Sequence, residues 1–283
     1  MAIRKLLVLT AGSVMLLSAT GASAADVYPA SPAPAMAAPA KEDWYLTLGV
    51  SARAEPQYPG SDTYQARFAP VISLKRASGL TAFDSIDDNP SIALFDTGKF
   101  RIGATGKIDF GRDEDDADKL RGLGNVDPSL EIGAFTEFYP WDWLRLRAEL
   151  RYGFGGFEGL GGDVGADVII PIADSWRFAV GPRLSFASSG YMNAYFGVTP
   201  FQSISATFLG NPLPVYTAGG GIDQVGVTAQ LDKTFANGFI VGVYGTYGRL
   251  LNSAADSPLT EDDNVFMAGI SVAYAFNIGK SWW

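Results

Sequence analysis

The stretch WLRLRAELRY, residues 143–152, alternates apolar and polar side chains. Leu144, Leu146, Ala148 and Leu150 fall on one parity, and Arg145, Arg147, Glu149 and Arg151 fall on the other. A helix, at about 100° per residue, would scatter those four apolar groups around its circumference. A strand sends successive residues to opposite faces and separates them cleanly. The same sorting recurs at 44–54, 64–75, 100–110, 130–138, 163–172 and 176–186, where every Arg, Lys, Asp and Glu occupies an odd position.

A soluble sheet tolerates an occasional Lys or Glu on its apolar side, because long stems snorkel to water. In hydrocarbon, an outward Arg or Lys near the midplane costs roughly 2–4 kcal/mol, a large share of the ~5–15 kcal/mol net stability of a domain. Strict exclusion over about ten residues therefore predicts tilted membrane-crossing strands with lipid against the even-numbered rows. Such strands close on themselves, since an open edge leaves backbone groups unpaired in lipid. The expected fold is all-β, a transmembrane antiparallel up-and-down β-barrel; a soluble β-sandwich is the competing architecture.

The connections agree with a membrane wall. Tight turns at 96–99, 140–142, 172–175 and 236–238 alternate with long, polar connections at 111–127, 188–213 and 252–264, the pattern of short periplasmic turns and long external loops. Trp44, Tyr139, Trp141, Trp143, Trp176, Phe235 and Phe239 gather near the short turns as an interfacial girdle would. The segments number about twelve, or about ten if the weak pair at 80–85 and 91–96 is not in the wall. Pro70 and Pro182 interrupt proposed strands, and bulges are expected there. Counting across the turns sets Glu137 opposite Arg145, Glu131 opposite Arg151 and Asp163 opposite Arg183, as candidate cross-strand ion pairs.

The N-terminus reads as a secretory signal over residues 1–24. Arg4 and Lys5 precede the apolar run 6–17, and Ala22-Ser23-Ala24 offers a cleavage site. Residues 25–42 are Pro/Ala-rich and aperiodic, as expected of a periplasmic linker. The barrel is expected over 43–276, followed by a tail at 277–283. A net charge of −9, made more negative by loss of the signal, argues against a nucleic-acid partner. Outer-membrane lipid and lipopolysaccharide are the surroundings expected instead.

The chain has no histidine and no cysteine. That removes the histidine-dependent chemistry of proteases, phospholipases and acyltransferases, and every thiolate metal site. Paired carboxylates could still hydrolyse glycosides, but Glu131, Glu137 and Glu149 share their face with arginines that they would neutralise. The acid-dense GRDEDDADKL (111–120) lacks the sixth-position glycine and terminal glutamate of a calcium loop. GFGGFEGLGG (153–162) lacks the strand-to-helix setting of a dinucleotide loop. No enzyme, metal or cofactor is expected. Inside the barrel would lie Arg53, Arg67, Lys75, Arg101, Lys107, Arg145, Arg147, Arg151, Arg177 and Arg183. Asp109, Glu131, Glu137, Glu149, Asp163 and Asp167 would face them. The basic excess suits either an anion-preferring pore or a narrow barrel plugged by long arginines and loops.

YPGSDTY (58–64), FGR (110–112), LRGLG (120–124), YFGVT (195–199), YGTYGRLL (244–251), DSP (256–258) and SVAYAF (271–276) occur in the order of the MipA/OmpV family of outer-membrane proteins, which the chain resembles over about 43–276. The resemblance implies a barrel acting as a scaffold for a murein transglycosylase and a peptidoglycan synthase; other members are similar to adhesins or antibiotic-response proteins. It supplies no catalytic residue. Gly269, Val272, Tyr274 and Phe276 look like the terminal signal read by the barrel-assembly machinery, with the last strand expected to end at Phe276. The functions left open are scaffold, narrow anion-preferring channel, and adhesin acting through the external loops.

Overall fold

A computed structural model describes residues 43–76 and 83–280. The expected signal, the whole of the expected linker, residues 80–82 of one weak segment and the end of the tail lie outside them. Eleven strands are present among the described residues: β1 (Asp43–Pro56), β2 (Tyr64–Arg76), β3 (Ser91–Asp96), β4 (Phe100–Asp109), β5 (Ser129–Trp141), β6 (Leu144–Gly155), β7 (Gly159–Ala173), β8 (Trp176–Ala187), β9 (Gly221–Thr234), β10 (Phe239–Leu250) and β11 (Asn264–Lys280). They form one antiparallel up-and-down sheet in the order β2-β1-β11-β10-β9-β8-β7-β6-β5-β4-β3. Among the described residues no helix is long and apolar enough to cross a membrane. Strands make the crossing.

Burial follows strand parity and inverts the rule for soluble sheets. Along β6, Arg145, Arg147, Glu149 and Arg151 are buried while Leu146, Leu150, Tyr152 and Phe154 are exposed. The even rows also face outward in β1, β4, β5 and β11, but β9 and β10 are reversed. There Val225, Val227, Val241, Val243 and Tyr247 face out, and Thr228, Gln230 and Asp232 are buried. The even-row expectation is thus corrected for two strands. The chain between β8 and β9 is long and irregular, so parity restarts at the register β9 adopts on β8, with Phe178 opposite Leu231.

The sheet is curled. Every ladder is antiparallel, and β2 and β3 stand at opposite ends of the order. Ten alternations separate them, so they run in the same direction. The chain must therefore return between them, and residues 83–90 make part of that return as an irregular segment inside the sheet. The carboxylate of Asp84 meets Lys75 on β2, and that of Asp88 meets Arg145 on β6. In a flat sheet with strands about 4.8 Å apart, seven strand spacings would put these partners roughly 33 Å apart. Four residues of chain reach at most about 14 Å, so the wall wraps around the segment.

Residues 83–85 are therefore not strand, contrary to the expectation for 80–85, whereas 91–96 is. In FDSIDDNP, Asp84 and Asp88 fall on one parity and Asp87 on the other. Either face of a wall strand would aim a carboxylate at lipid, and the interior offers arginines instead.

Other register expectations shift. A bulge between Phe138 and Trp141 sets Glu137 opposite Arg147, and Gly133 opposite Arg151. Glu137 still reaches Arg145 at 3.2 Å and Glu131 still reaches Arg151 at 3.0 Å, both diagonally. Asp163 does not pair with Arg183: it lies opposite Ser185 and binds Arg151 at 2.7 Å. No bulge occurs at either proline. Pro70 lies in β2, a sheet-end strand, where a missing donor is tolerated. At Pro182 the Arg183 guanidinium donates to Ala166 O at 3.2 Å, supplying a donor where proline has none. The last strand does not end at Phe276. It continues to Lys280, with Asn277 opposite Tyr45 and Lys280 opposite Asp43 across a bulge at Trp44/Tyr45.

Replacing outward Leu146 by Arg should lower unfolding stability in lipid vesicles by about 2–4 kcal/mol. Leu146→Phe should change it little, as urea titration of the folded, heat-modifiable form will report.

Candidate functional site: a charge-filled interior beneath a packed cap

The sixteen residues expected to line the interior all lie on strands, and ion pairs link each of them to a partner. Glu55 bridges Arg53 at 2.5 Å and Arg67 at 2.7 Å, near one end of the barrel. Lys107 contacts Glu131 at 3.1 Å. Arg101 holds Glu137 at 2.6 Å and Asp96 at 3.4 Å. Arg151 is shared by Glu131, Glu149 at 2.7 Å and Asp163. Arg147 contacts Glu137, Glu149 and, at 3.4 Å, Asp88. Arg183 joins Asp167 and Asp87, each at 2.6 Å. Arg177 lies 3.7 Å from Asp232.

Arg145 sits at the centre with none of its surface exposed. It meets Asp88 from the inner segment, Glu137 from β5 and Asp167 from β7, the last at 2.9 Å. Phe83 is also fully enclosed and presents its ring to Arg145 and Arg177, with guanidinium carbons 5.4 and 5.1 Å from the centroid. Phe83 packs with Tyr139, Ile169 and Ala179 on the wall.

The inner segment is bound on several sides. Asp87 accepts from Thr228 Oγ1 on β9, Asn89 donates to Glu149 on β6, and Pro90 O accepts from Gly106 N on β4. Sequence reasoning missed its three aspartates, and also Glu55, Asp96 and Asp232. Two of these carried a usable signal, since Asp84 and Asp96 are even-numbered charges inside the proposed segments 80–85 and 91–96. With these six acids included, the basic excess expected from the sequence disappears. The carboxylates Glu131, Glu137 and Glu149 are engaged by arginines.

The long connections, expected to be solvated loops, contain two hydrophobic cores. Helix α1 (Ser189–Phe196) packs Met192, Tyr195 and Phe196 against Phe157, Leu250 and Ala254. A second core joins Tyr58, Leu120, Leu123, Val198, Ala206, Leu213 and Leu259. Ala206 belongs to helix α2 (Pro200–Phe208). Gly122, at φ +87°, lies where a Cβ would come 2.6 Å from Ala206 Cα, so only glycine lets the loop meet this helix.

Polar contacts lock the cap. Arg112 Nη1 donates to Tyr195 O at 3.0 Å, Ser257 Oγ to Phe196 O at 2.7 Å, and Tyr58 OH to Leu259 O at 3.1 Å. Tyr195 OH donates to Asp109 at 2.5 Å; burial, reinforced by that carboxylate, raises its pKa and keeps it a donor. Glu114, within the acid-dense loop, accepts from the backbone amides of Gly122 and Gly124. The motifs YPGSDTY, FGR, LRGLG, YFGVT and DSP thus converge in one structural unit. At the opposite end, a cleft of about 420 Å³ lies among the short turns, lined by Asp142, Trp143, Ile169, Asp174, Trp176 and Arg177 with others.

Glu137→Ala leaves Arg145 and Arg147 short of a partner and should cost about 3–5 kcal/mol, read as a lowered denaturant midpoint. Removing the exposed Asp118–Arg121 pair should cost less than ~1 kcal/mol. Gly122→Val should part α2 from its loop, so that limited proteolysis cuts within 199–216 while the barrel remains folded.

An outer membrane protein of Vibrio anguillarum, Omp26La, is 25% identical over 174 residues, 58% of this chain and 61% of that protein. The match thus spans about three-fifths of the relative's length. Among solved structures, the KdgM porin covers 82% of this chain and 99% of its own at 8% identity and TM-score 0.40. The COG4313 outer membrane channel of Pseudomonas putida F1 covers 88% and 100% at 10% identity and TM-score 0.36. The family described as MltA-interacting protein MipA matches residues 48–276. This chain is an outer-membrane β-barrel protein and belongs to that family.

Proposed function

We infer that the protein is a non-conducting scaffold that links the outer membrane to periplasmic murein-remodelling enzymes, a murein transglycosylase first. The observation that carries this reading is the filled interior. Arg145, enclosed on every side, is neutralised from three directions, and one of its partners comes from a segment that has left the wall. A diffusion path would need solvated, unpaired charge along the bore, and this one is cross-linked. The family's description names an interaction with MltA, and the engaged carboxylates favour an architectural role over a hydrolytic one. The turn-end cleft, with Trp143, Trp176 and Arg177 beside Asp142 and Asp174, offers aromatic and charged contacts of the kind enriched at protein interfaces. The Pro/Ala-rich linker is a second contact element. A peptidoglycan synthase is a further partner under this reading, and the barrel-assembly machinery would insert the chain through its last strand.

The full chain carrying a photo-crosslinking residue at 142 or 174 should capture a murein transglycosylase from native membranes. Recovery of no murein enzyme from either position would count against the scaffold. In planar bilayers the unaltered protein should be silent, whereas Asp84→Asn/Asp87→Asn/Asp88→Asn should produce fluctuating conductance. Steady conductance from the unaltered protein would favour a channel.

A further inference from the structure

The connection between β8 and β9 differs from its neighbours in charge. Acids crowd the loops at 111–127 and 252–264, yet no charged residue occurs from 184 to 222. Within that span, α2 begins with a capping box. Thr199 accepts from Gln202 N, the Gln202 side chain accepts from Thr199 N, and Pro200 opens the first turn. The inner side of the helix is fixed through Ala206 beside Gly122 and by Gln202 Nε2 donating to Leu123 O at 2.6 Å. Its other side is bare. Phe201, Ile204 and Phe208 are 78%, 57% and 86% exposed, and their i, i+3, i+7 spacing sets them on one stripe. Leu209 and Val215 extend the patch.

Among the described residues, every other large hydrophobic side chain exposed to this degree lies in a wall strand or within one residue of one. Those side chains meet hydrocarbon. Leaving three more in water would forfeit about 1.5–3 kcal/mol for each. The criterion that identified the wall, large apolar groups without any charge among them, holds again for this loop.

We propose that α2 is a lateral membrane anchor, and that Phe201, Ile204 and Phe208 enter the acyl-chain layer of the outer leaflet beside the barrel. The occupant of the stripe is lipid hydrocarbon, which requires neither charge nor hydrogen-bond partners, and residues 184–222 supply no charge. The anchor ties the cap to the membrane surface through the contact of α2 with the 120–124 loop, and it predicts a cap that cannot lift away while the helix is immersed.

The chain has no cysteine, so single labels are unambiguous. Nitroxides at Ile204→Cys and Phe208→Cys, in the full chain in phosphatidylcholine vesicles, should collide severalfold more often with oxygen than with an aqueous nickel chelate. They should match a label at Leu146→Cys and oppose one at Asp115→Cys. In the unsubstituted protein, a carbene-generating probe dissolved in the bilayer should label residues 200–215 and the wall but not 111–120, a readout independent of any substitution. Chelate access at 204 and 208 equal to that at 115, or absence of probe from 200–215, would overturn the proposal. Labels shielded from both reagents, together with a dimeric mass in mild detergent, would assign the stripe to a second copy instead.

Discussion

A charge cannot face hydrocarbon, and the rest of this structure follows from that. The wall sends its charged rows inward, where they enter a space closed off by the sheet and the cap. There Arg101, Arg145, Arg147 and Arg151 are cut off from bulk water, and each meets a counter-charge. Arg145 shows the consequence: a guanidinium with no exposed surface survives because carboxylates from β5, β7 and the inner segment converge on it. Buried pairs of this kind add little net stability over an apolar filling, but removing one partner is costly. The network therefore acts through specificity of register and closure. Glu137, touched by Arg101, Arg145 and Arg147, joins three adjacent strands through one side chain.

The same constraint explains why one leg of the up-and-down path leaves the wall. FDSIDDNP carries carboxylates on both parities, so no orientation in a lipid-facing strand would spare them. Moved inside, they meet cations that the wall had already aimed there. Wall and filling are thus complementary, and a surplus of basic groups on the strands is what a barrel needs when its counter-ions arrive on a separate segment.

The cap obeys ordinary soluble-protein rules. Its cores are apolar, several of its buried polar groups pair with backbone atoms, and glycines sit where loops meet closely. Five of the family motifs meet there, which gives them a common structural meaning that their separation along the chain conceals. Arg112 and Ser257 are far apart in sequence and serve the same purpose, tying loops to the backbone of the 188–216 connection, while Tyr58 ties its own loop to the backbone at Leu259.

The sequence alone determined most of the strands and the sidedness of the wall rows outside β9 and β10, because period-two sorting is local and hydrocarbon enforces it residue by residue; of the aromatics expected near the short turns, Trp44 and Tyr139 are buried. It also identified the inward arginines and most wall carboxylates. Tertiary structure decided what those arginines bind. Register depends on bulges at Phe138/Trp141 and Pro171/Ala173 that alternation does not encode, so Asp163 lies opposite Ser185 and serves Arg151 rather than Arg183. Parity in β9 and β10 depends on docking after a long connection, and the packed cores of the cap join residues as distant as Tyr58 and Leu259. The position of residues 83–90 depends on charges from β2, β6 and β8 and polar groups from β9 meeting in one volume, and that encounter exists only once the sheet has curled.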